Sequence, residues 1–215
     1  MMSTETSLPP EEVQGLDFRI ERLGEPPLES TLRHVLFVEE EEEVSYFSDP
    51  RTNAALRDEG LRPPAFVAAG PRRRVFHDAP WTRAAIVTCG GLCPGLNDVI
   101  KALVNTLFFS YGVDSVFGIP YGFRGLIPEY GLKPIELNPD LVDTIHENGG
   151  SILGSSRGGQ STQEIVKTLD RLNIRILFTI GGDGTQRAAK DIAESARERG
   201  LDISVVGIPK TIDND

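Results

Sequence analysis

The strongest constraint on the fold comes from the last 42 residues of the 215-residue chain. Two short apolar runs rich in β-branched residues, Ile174–Ile180 and Ile203–Ile208, flank a segment with helical spacing, a pattern typical of a βαβ unit. Each run ends in a polar loop, Gly181–Thr185 after the first and Pro209–Asp215 after the second. Because ligands bind at the carboxyl ends of the strands in open α/β sheets, we expect both loops to belong to a binding site.

The same alternation of strand and helix patterns extends back to residue 84. Strand patterns cover Ala84–Thr88 and Asp114–Ile119. Helical patterns cover Asp98–Ser110, Leu141–Glu147 and Thr162–Leu172. The segment 122–126 between them is predicted as a loop. The alternation predicts an α/β fold with a doubly wound, mainly parallel sheet and right-handed crossovers, which we assign to residues 76–215.

Residues 1–75 differ in composition and are predicted to form an acidic, proline-rich extension. Residues 1–70 hold 15 Asp and Glu against 6 Lys and Arg, whereas residues 71–215 hold 17 against 16. Within the extension, His34–Val38 is predicted as a short strand. The glutamates Glu39–Glu43 are predicted as a solvated turn after it, with a cation or basic-partner site as the alternative.

The charge distribution also bears on partners. A net charge of −10 argues against nucleic acid or an anionic membrane as a partner, so any attraction for phosphate has to be local. No apolar run approaches the length of a membrane span, and the start of the chain lacks the features of a signal peptide. We therefore expect a cytoplasmic protein in which Cys89 and Cys93 are reduced thiols rather than zinc ligands.

Glycine-rich loops follow several of the predicted strands. Gly90-Gly91, Gly158-Gly159 and Gly181–Thr185 each leave the backbone free to approach a ligand, and successive N–H groups at a helix start can bind phosphate oxygens. Each loop alone also fits an ordinary tight turn, but three together favour a phosphate site. The sequence has neither a P-loop nor a G-x-G-x-x-G dinucleotide motif.

Three carboxylates near these loops are candidates for chemistry. Asp183 could hold Mg²⁺ together with substrate phosphates, or it could cap a helix beginning at Thr185. Asp213 and Asp215 follow the last strand pattern. One of them could act as general base toward a hydroxyl, or the pair could form an Asx-type turn.

Four segments taken together resemble the 6-phosphofructokinases over residues 84–215: Gly90–Asn97, Gly149–Gly159, Gly181–Thr185 and Pro209–Asp215. They are most similar to the plant-type and trypanosomal-type branch, which is grouped by sequence with pyrophosphate-dependent enzymes but mostly uses ATP. The Gly181–Thr185 loop is shared with NAD kinases and lipid kinases, so the specific signals are the Thr-Ile-Asp-Asn-Asp and Gly-Ser-Ser-Arg segments. The resemblance implies a glycolytic, allosteric, homo-oligomeric kinase that transfers the γ-phosphoryl group of ATP to the 1-hydroxyl of fructose 6-phosphate.

The resemblance also implies roles for individual residues. Contacts to the nucleotide phosphates are assigned to Gly91, Arg157, Gly158, Gly182, Asp183, Gly184 and Thr185. Asp183 would also bind Mg²⁺, and Arg157 would neutralise charge on the phosphoryl group in transfer. Contacts to fructose 6-phosphate are assigned to Thr211, Ile212 and Asp213, with Asp213 as the base. Phe123 stands where the bacterial allosteric enzymes have a tyrosine over the nucleotide, and it receives no role.

Two positions bear on the phosphoryl donor. Pyrophosphate-using relatives carry Asp where Gly184 stands and Lys where Lys210 stands, so the chain has one marker of each kind. Gly184 favours ATP, because a missing side chain leaves room for a nucleotide. The family's second half does not follow Asp215, so we expect the chain alone to be inactive. The alternatives are a pyrophosphate-dependent enzyme, an NAD-kinase-like enzyme and a non-catalytic regulatory chain.

Overall fold

The computed structural model describes residues 16, 18 and 20–212. The chain divides into two compact units, one formed by residues up to 22 together with 33–74, the other by residues 23–32 and those from 75 onward. That residues 1–75 and 76–215 are separate domains stays a prediction. None of the helices in the described ranges has both the length and the apolar character needed to cross a bilayer.

The elements before the main sheet are short. Strands β1 to β4 are Leu28–Glu29, Glu43–Ser45, Ala65–Val67 and Arg74–Val75, and helix α1 is Pro50–Asp58. Strands β2 and β3 form an antiparallel pair. Helix α1 begins after Asp49, whose carboxylate accepts a hydrogen bond from the Arg51 N–H at 3.0 Å, as expected for an N-cap.

The strand predicted at His34–Val38 is wrong. His34 has a φ of 60°, a left-handed conformation that does not continue a strand. The Val38 N–H donates to the Pro71 carbonyl at 2.9 Å, and the Arg72 guanidinium donates to the Val38 carbonyl at 2.9 Å. The backbone of this segment is therefore satisfied by a neighbouring loop instead of by a strand partner. Glu39–Glu42 after it form the exposed turn that was predicted, and Glu43 is the first residue of β2.

A five-stranded sheet organises the second unit. Its strands are β5 Arg83–Thr88, β6 Ser115–Ile119, β7 Ile135–Leu137, β8 Ile174–Gly181 and β9 Ser204–Pro209, in the order β7-β6-β5-β8-β9. All neighbouring strands pair in parallel except β6 and β7, which are antiparallel. The predicted α/β fold with a doubly wound, mainly parallel sheet is thus confirmed. Strand β5 is buried from Ala84 to Thr88, as expected for a central strand covered on both faces.

Helices cover both faces of this sheet. They are α2 Leu96–Asn105, α3 Pro139–Val142, α4 Thr162–Arg171 and α5 Asp183–Glu198. Helix α2 continues as a π-helical turn, Thr106–Tyr111, and short 3₁₀ turns occupy Ala79–Trp81, Gly122–Leu126, Pro128–Tyr130 and Ile145–Glu147. The predicted loop 122–126 is therefore a 3₁₀ turn. The single helix predicted at Leu141–Glu147 is replaced by α3 and a separate 3₁₀ turn.

Two apolar clusters fix the helices to the sheet. On one face, Val87 and Leu177 pack with the buried Ile165 and Ile192 of helices α4 and α5. On the other face, Ile86 of β5 belongs to a cluster that includes buried residues of α2. Because alternate residues of β5 enter opposite clusters, the strand is held from both sides. The loops at its carboxyl end therefore begin from a rigid base.

Candidate functional site

A cleft of about 860 Å³ lies at the carboxyl edge of the sheet. The loops after β5, β8 and β9 line it, together with the loop before α4. The three glycine-rich loops predicted from the sequence all line this cleft, through Gly90-Gly91, Gly158-Gly159 and Gly182–Thr185. The structure therefore brings together three segments that are far apart in the chain.

The loop after β5 requires glycine at two successive positions. Gly90 has a φ of 80°, in the left-handed region. A Cβ on Gly91 would lie 2.3 Å from Ile212 Cδ1 and 3.4 Å from Arg157 Nη2. The absence of a side chain at Gly91 thus allows Arg157 and Ile212, both predicted site residues, to approach the same piece of backbone.

Asn97 positions the loop that carries Arg157, and sequence reasoning assigned it no role. Its buried amide donates to the carbonyls of Ile145 and Asn148 at 3.0 and 2.9 Å, and its oxygen accepts from the Ile152 N–H at 2.9 Å. Three and seven residues further along α2 lie Ile100 and Val104, both buried. Asn97 is a polar residue on the apolar face of a helix, and this pattern could have indicated its buried hydrogen bonds.

Two further hydrogen bonds join the same loop to the end of β5. The Gly90 N–H donates to the Ser156 carbonyl at 3.0 Å, and the Ser155 hydroxyl donates to the Gly90 carbonyl at 2.6 Å. Since Arg157 follows directly, its backbone is held beside Gly91. Its guanidinium is the planar five-donor group suited to phosphate oxygens.

The loop after β8 forms the start of helix α5. Gly182 is the N-cap residue and Asp183 is the first helical residue. The alternative in which Asp183 caps a helix beginning at Thr185 is therefore wrong. A Cβ on Gly181 would lie 2.3 Å from Thr185 Oγ1, so this glycine makes room for the first turn. The helix start directs N–H groups and the positive end of the helix dipole at the cleft, which favours bound anions.

Asp183 and Gly184 are exposed residues of this first turn, and both line the cleft. Among the hydrogen bonds and ion pairs of the described residues, none engages the Asp183 carboxylate. A Cβ on Gly184 would meet no atom within 4 Å. Both observations leave the first turn open for a ligand and its counter-ion.

The loop after β9 closes the cleft from the other side. The Lys210 N–H donates to the Gly181 carbonyl at 3.0 Å, and its ammonium group donates to the Gly91 carbonyl. Thr211 and Ile212 line the cleft, and their contact with fructose 6-phosphate stays a prediction. Asp213 and Asp215 lie outside the described residues, so the general base and the alternative Asx turn remain predictions.

The described lining of the cleft carries one more cation than carboxylates, although the chain as a whole is acidic. The lining residues in the described part of the chain include the cations Arg157, Arg187 and Lys210 against the carboxylates Asp183 and Asp191. Sequence reasoning did not single out Arg187 or Asp191. They lie four and eight residues after Asp183 on α5, a spacing that places side chains along one helix face and could have indicated them.

The inner wall of the cleft is apolar and chemically inert. Burial raises the pKa of the Cys89 thiol to about 11, against opposing effects of hydrogen bonds from the Phe123 backbone and the Thr185 side chain and of the Lys210 charge. Phe123 itself is buried and lines the cleft. At neutral pH, Cys89 is therefore a packed thiol and not a nucleophile.

The phosphofructokinase family matches residues 83–215 of this chain, which include every loop of the cleft. The chain belongs to the phosphofructokinase family. Among its relatives, the ATP-dependent 6-phosphofructokinase of Borreliella burgdorferi is 45% identical over 209 residues, covering 94% of this chain and 46% of that protein. The Trypanosoma cruzi protein of the same name is 45% identical over 212 residues, covering 96% of this chain and 44% of that protein.

This phosphofructokinase-family chain thus spans about half the length of the curated relatives that it matches. Solved structures resemble it in fold. A pyrophosphate-dependent phosphofructokinase from Marinobacter aquaeolei superposes with a TM-score of 0.55 at 22% identity, covering 62% of this chain and 34% of its own. The T-state phosphofructokinase of Pichia pastoris gives 0.55 at 22%, covering 76% of this chain and 21% of its own.

The carboxylates that line the cleft can be compared with the ligands that Mg²⁺ takes in proteins. Within the described ranges, no three His, Cys, Asp or Glu side chains are grouped as a metal cage. Mg²⁺ is usually held by one or two carboxylates together with substrate phosphates. The unengaged Asp183 carboxylate, at a helix start suited to phosphate, fits that mode of binding.

Proposed function

We propose that the full-length protein is an ATP-dependent 6-phosphofructokinase, which transfers the γ-phosphoryl group of ATP to the 1-hydroxyl of fructose 6-phosphate. One observation carries this proposal: Arg157 and Ile212 approach Gly91 in a cleft that the start of α5 also lines. Relatives named ATP-dependent 6-phosphofructokinase at about 45% identity support it. In this proposal the enzyme acts as a cytoplasmic homo-oligomer.

Catalysis of phosphoryl transfer depends mainly on positioning and on charge neutralisation. In this mechanism, backbone N–H groups at Gly91 and Gly182–Gly184 hold the nucleotide phosphates. The Thr185 N–H donates to the Gly182 carbonyl at 2.8 Å and so fixes the shape of this turn. Arg157 neutralises the charge that develops on the transferred group. A bound Mg²⁺ ion, held by Asp183, would supply further charge neutralisation at the phosphates.

The acceptor side of the reaction belongs to the loop after β9. Thr211 and Ile212 contact fructose 6-phosphate, and Asp213 takes the proton from its 1-hydroxyl as the new bond forms to phosphorus. Lys210 connects the acceptor loop to the loops proposed to bind the donor, because its ammonium group donates to the Gly91 carbonyl while its backbone N–H donates to the Gly181 carbonyl. This arrangement would place the donor phosphate next to the acceptor loop.

The donor is ATP in this proposal because Gly184 is open. An added Cβ meets nothing within 4 Å, so the first turn of α5 leaves space for a nucleotide. Pyrophosphate is the second candidate, favoured by the Lys210 ammonium beside the phosphate loop. Pyrophosphate is smaller than ATP, so its binding depends more on positive charge beside the phosphate loop than on space at Gly184.

The direct test is a coupled assay of the full-length protein with fructose 6-phosphate and Mg²⁺, comparing ATP with pyrophosphate. A parallel reaction with ATP and NAD tests for NAD kinase activity. We expect turnover with ATP and fructose 6-phosphate, and its loss in Arg157→Ala. Arg175→Ala is the matched control, because Arg175 stands at the opposite end of β8. The proposal would be contradicted if fructose 6-phosphate were phosphorylated only by pyrophosphate, if ATP phosphorylated only NAD, or if neither donor gave turnover.

A further inference from the structure

Gln186 bridges the carboxyl ends of β8 and β9, the strands that lead into the two loops on opposite sides of the cleft. Its side-chain amide donates to the Gly181 carbonyl at 2.9 Å and to the Ile208 carbonyl at 3.2 Å. Both partners are carbonyl oxygens, so only the amide nitrogen can serve both bonds. Gly181, the first residue of the Gly181–Thr185 loop, and Ile208, next to the last residue of β9, are therefore both bound by one side chain of helix α5.

The Gly181 carbonyl is the shared point of this connection. It accepts from Gln186 and also from the Lys210 N–H, at 3.0 Å. A carbonyl oxygen has two lone pairs, and both are used here. Since Gly181 pairs with Pro209 in the sheet, the chain enters the segment Lys210–Ile212 directly from the residues that Gln186 holds.

Gly207 provides the space for this side chain. A Cβ at Gly207 would lie 2.0 Å from the Gln186 side-chain oxygen. Its φ is outside the left-handed region, so the backbone itself would accept alanine. The glycine is thus explained by Gln186 alone.

We propose that Gln186 is a positioning residue that aligns the acceptor loop, Lys210–Ile212, with the phosphate loop at the start of α5. The inference rests on the proposed phosphofructokinase activity and adds a residue to it. Gln186 touches neither substrate in this scheme. It acts by adding two side-chain hydrogen bonds where β8 and β9 already pair, at Ile208 and Gly181. Its loss therefore loosens the end of the sheet from which the acceptor loop leaves, and lets that loop move relative to the donor phosphate.

The expected effect falls on turnover. A displacement of about 1 Å between reacting groups can lower the rate by about 100-fold. We expect Gln186→Ala to lower kcat by about 10- to 100-fold on that basis, with a smaller change in KM for ATP because Gly91 and Arg157 remain in place. A merely structural role would lower the melting temperature and leave the kcat of the folded enzyme intact.

Gly207→Ala gives a sharper test, because it displaces the Gln186 amide without removing any atom of it. The glutamine side chain is flexible and can rotate away, so the variant should fold with a melting temperature close to that of Gln186→Ala, which loses the same two hydrogen bonds. Its kcat should nevertheless fall as in Gln186→Ala. In the double variant the added methyl group meets no glutamine, so kcat should equal that of Gln186→Ala within about twofold, a non-additive result.

The unmodified full-length enzyme, Gln186→Ala, Gly207→Ala and the double variant form a double-mutant cycle. They are compared by kcat, by KM for both substrates and by melting temperature. Lys190→Ala, an exposed position one turn further along α5, is the control and should match the unmodified enzyme. Wild-type kcat in Gly207→Ala, or additive losses in the double variant, would overturn the inference. A full-length protein inactive before any substitution would instead overturn the proposed function.

Discussion

Replacing Gly184 by aspartate in the full-length enzyme should weaken ATP binding, and so lower the rate at subsaturating ATP, without damaging the fold. Gly184 is exposed in the first turn of α5, and an added Cβ there meets no atom within 4 Å. Its φ is not left-handed, so a side chain causes no strain. An acid in a first helical turn is even favoured, by about 0.3–1 kcal/mol. The melting temperature should therefore not fall.

The cost should appear in nucleotide binding. Two like unit charges about 5 Å apart repel by about 0.8 kcal/mol in bulk water and by about 3.3 kcal/mol at an effective dielectric constant of 20. The exposed first turn lies between these limits. We therefore expect KM for ATP to rise by about 4- to 250-fold, since about 1.4 kcal/mol corresponds to tenfold.

The assay measures initial rates against ATP concentration at saturating fructose 6-phosphate, together with the melting temperature of each variant. Gly184→Asn is the matched control, because it adds nearly the same volume without the charge. If it impairs ATP use as strongly as Gly184→Asp, the excluded volume is responsible. If KM for ATP is unchanged in Gly184→Asp, the first turn of α5 does not face the nucleotide and the donor argument is wrong.

The remaining predictions concern a base, a metal ligand, a histidine and a thiol. Asp213→Ser should lower kcat by about 10²- to 10⁴-fold with fructose 6-phosphate binding nearly kept; a lower melting temperature with normal kcat would identify a turn residue instead. Asp183→Asn should abolish turnover at limiting Mg²⁺ while circular dichroism stays unchanged, and near-normal activity there would refute the metal role. Burial lowers the pKa of His77 from 6.5, so the unfolded chain binds its proton more tightly, and stability should fall as pH drops below about 6.5; denaturation midpoints at pH 7 and 5.5 should differ less in His77→Gln. Cys89, with a pKa of about 11, is about one-thousandth ionised at pH 8, so brief alkylation followed by peptide mapping should label the half-buried Cys93 first.

Local patterns were sufficient for the regular elements of the sheet. The apolar runs at Ala84–Thr88 and Ile174–Ile180 lie in β5 and β8, because short runs of β-branched and apolar residues suit a strand buried on both faces. The helical spacing at Thr162–Leu172 corresponds to α4 within one residue. In these segments propensity and burial favour the same structure.

Predictions failed where non-local contacts decide. His34–Val38 has a strand-like composition, yet its hydrogen bonds go to residues 71 and 72. Neither partner is visible from the spacing of nearby residues.

The residue types in the glycine loops and the order of strands and helices follow from the chain's own pattern, because glycine freedom and apolar periodicity are local properties. The convergence of Gly91, Arg157 and Ile212 is different, since those residues are separated by many positions and meet only when β5, β8 and β9 pair side by side. The roles of Asn97 and Gln186 likewise depend on which carbonyls their amides reach. Packing of both faces of the sheet decides those distances, and no short-range pattern encodes them.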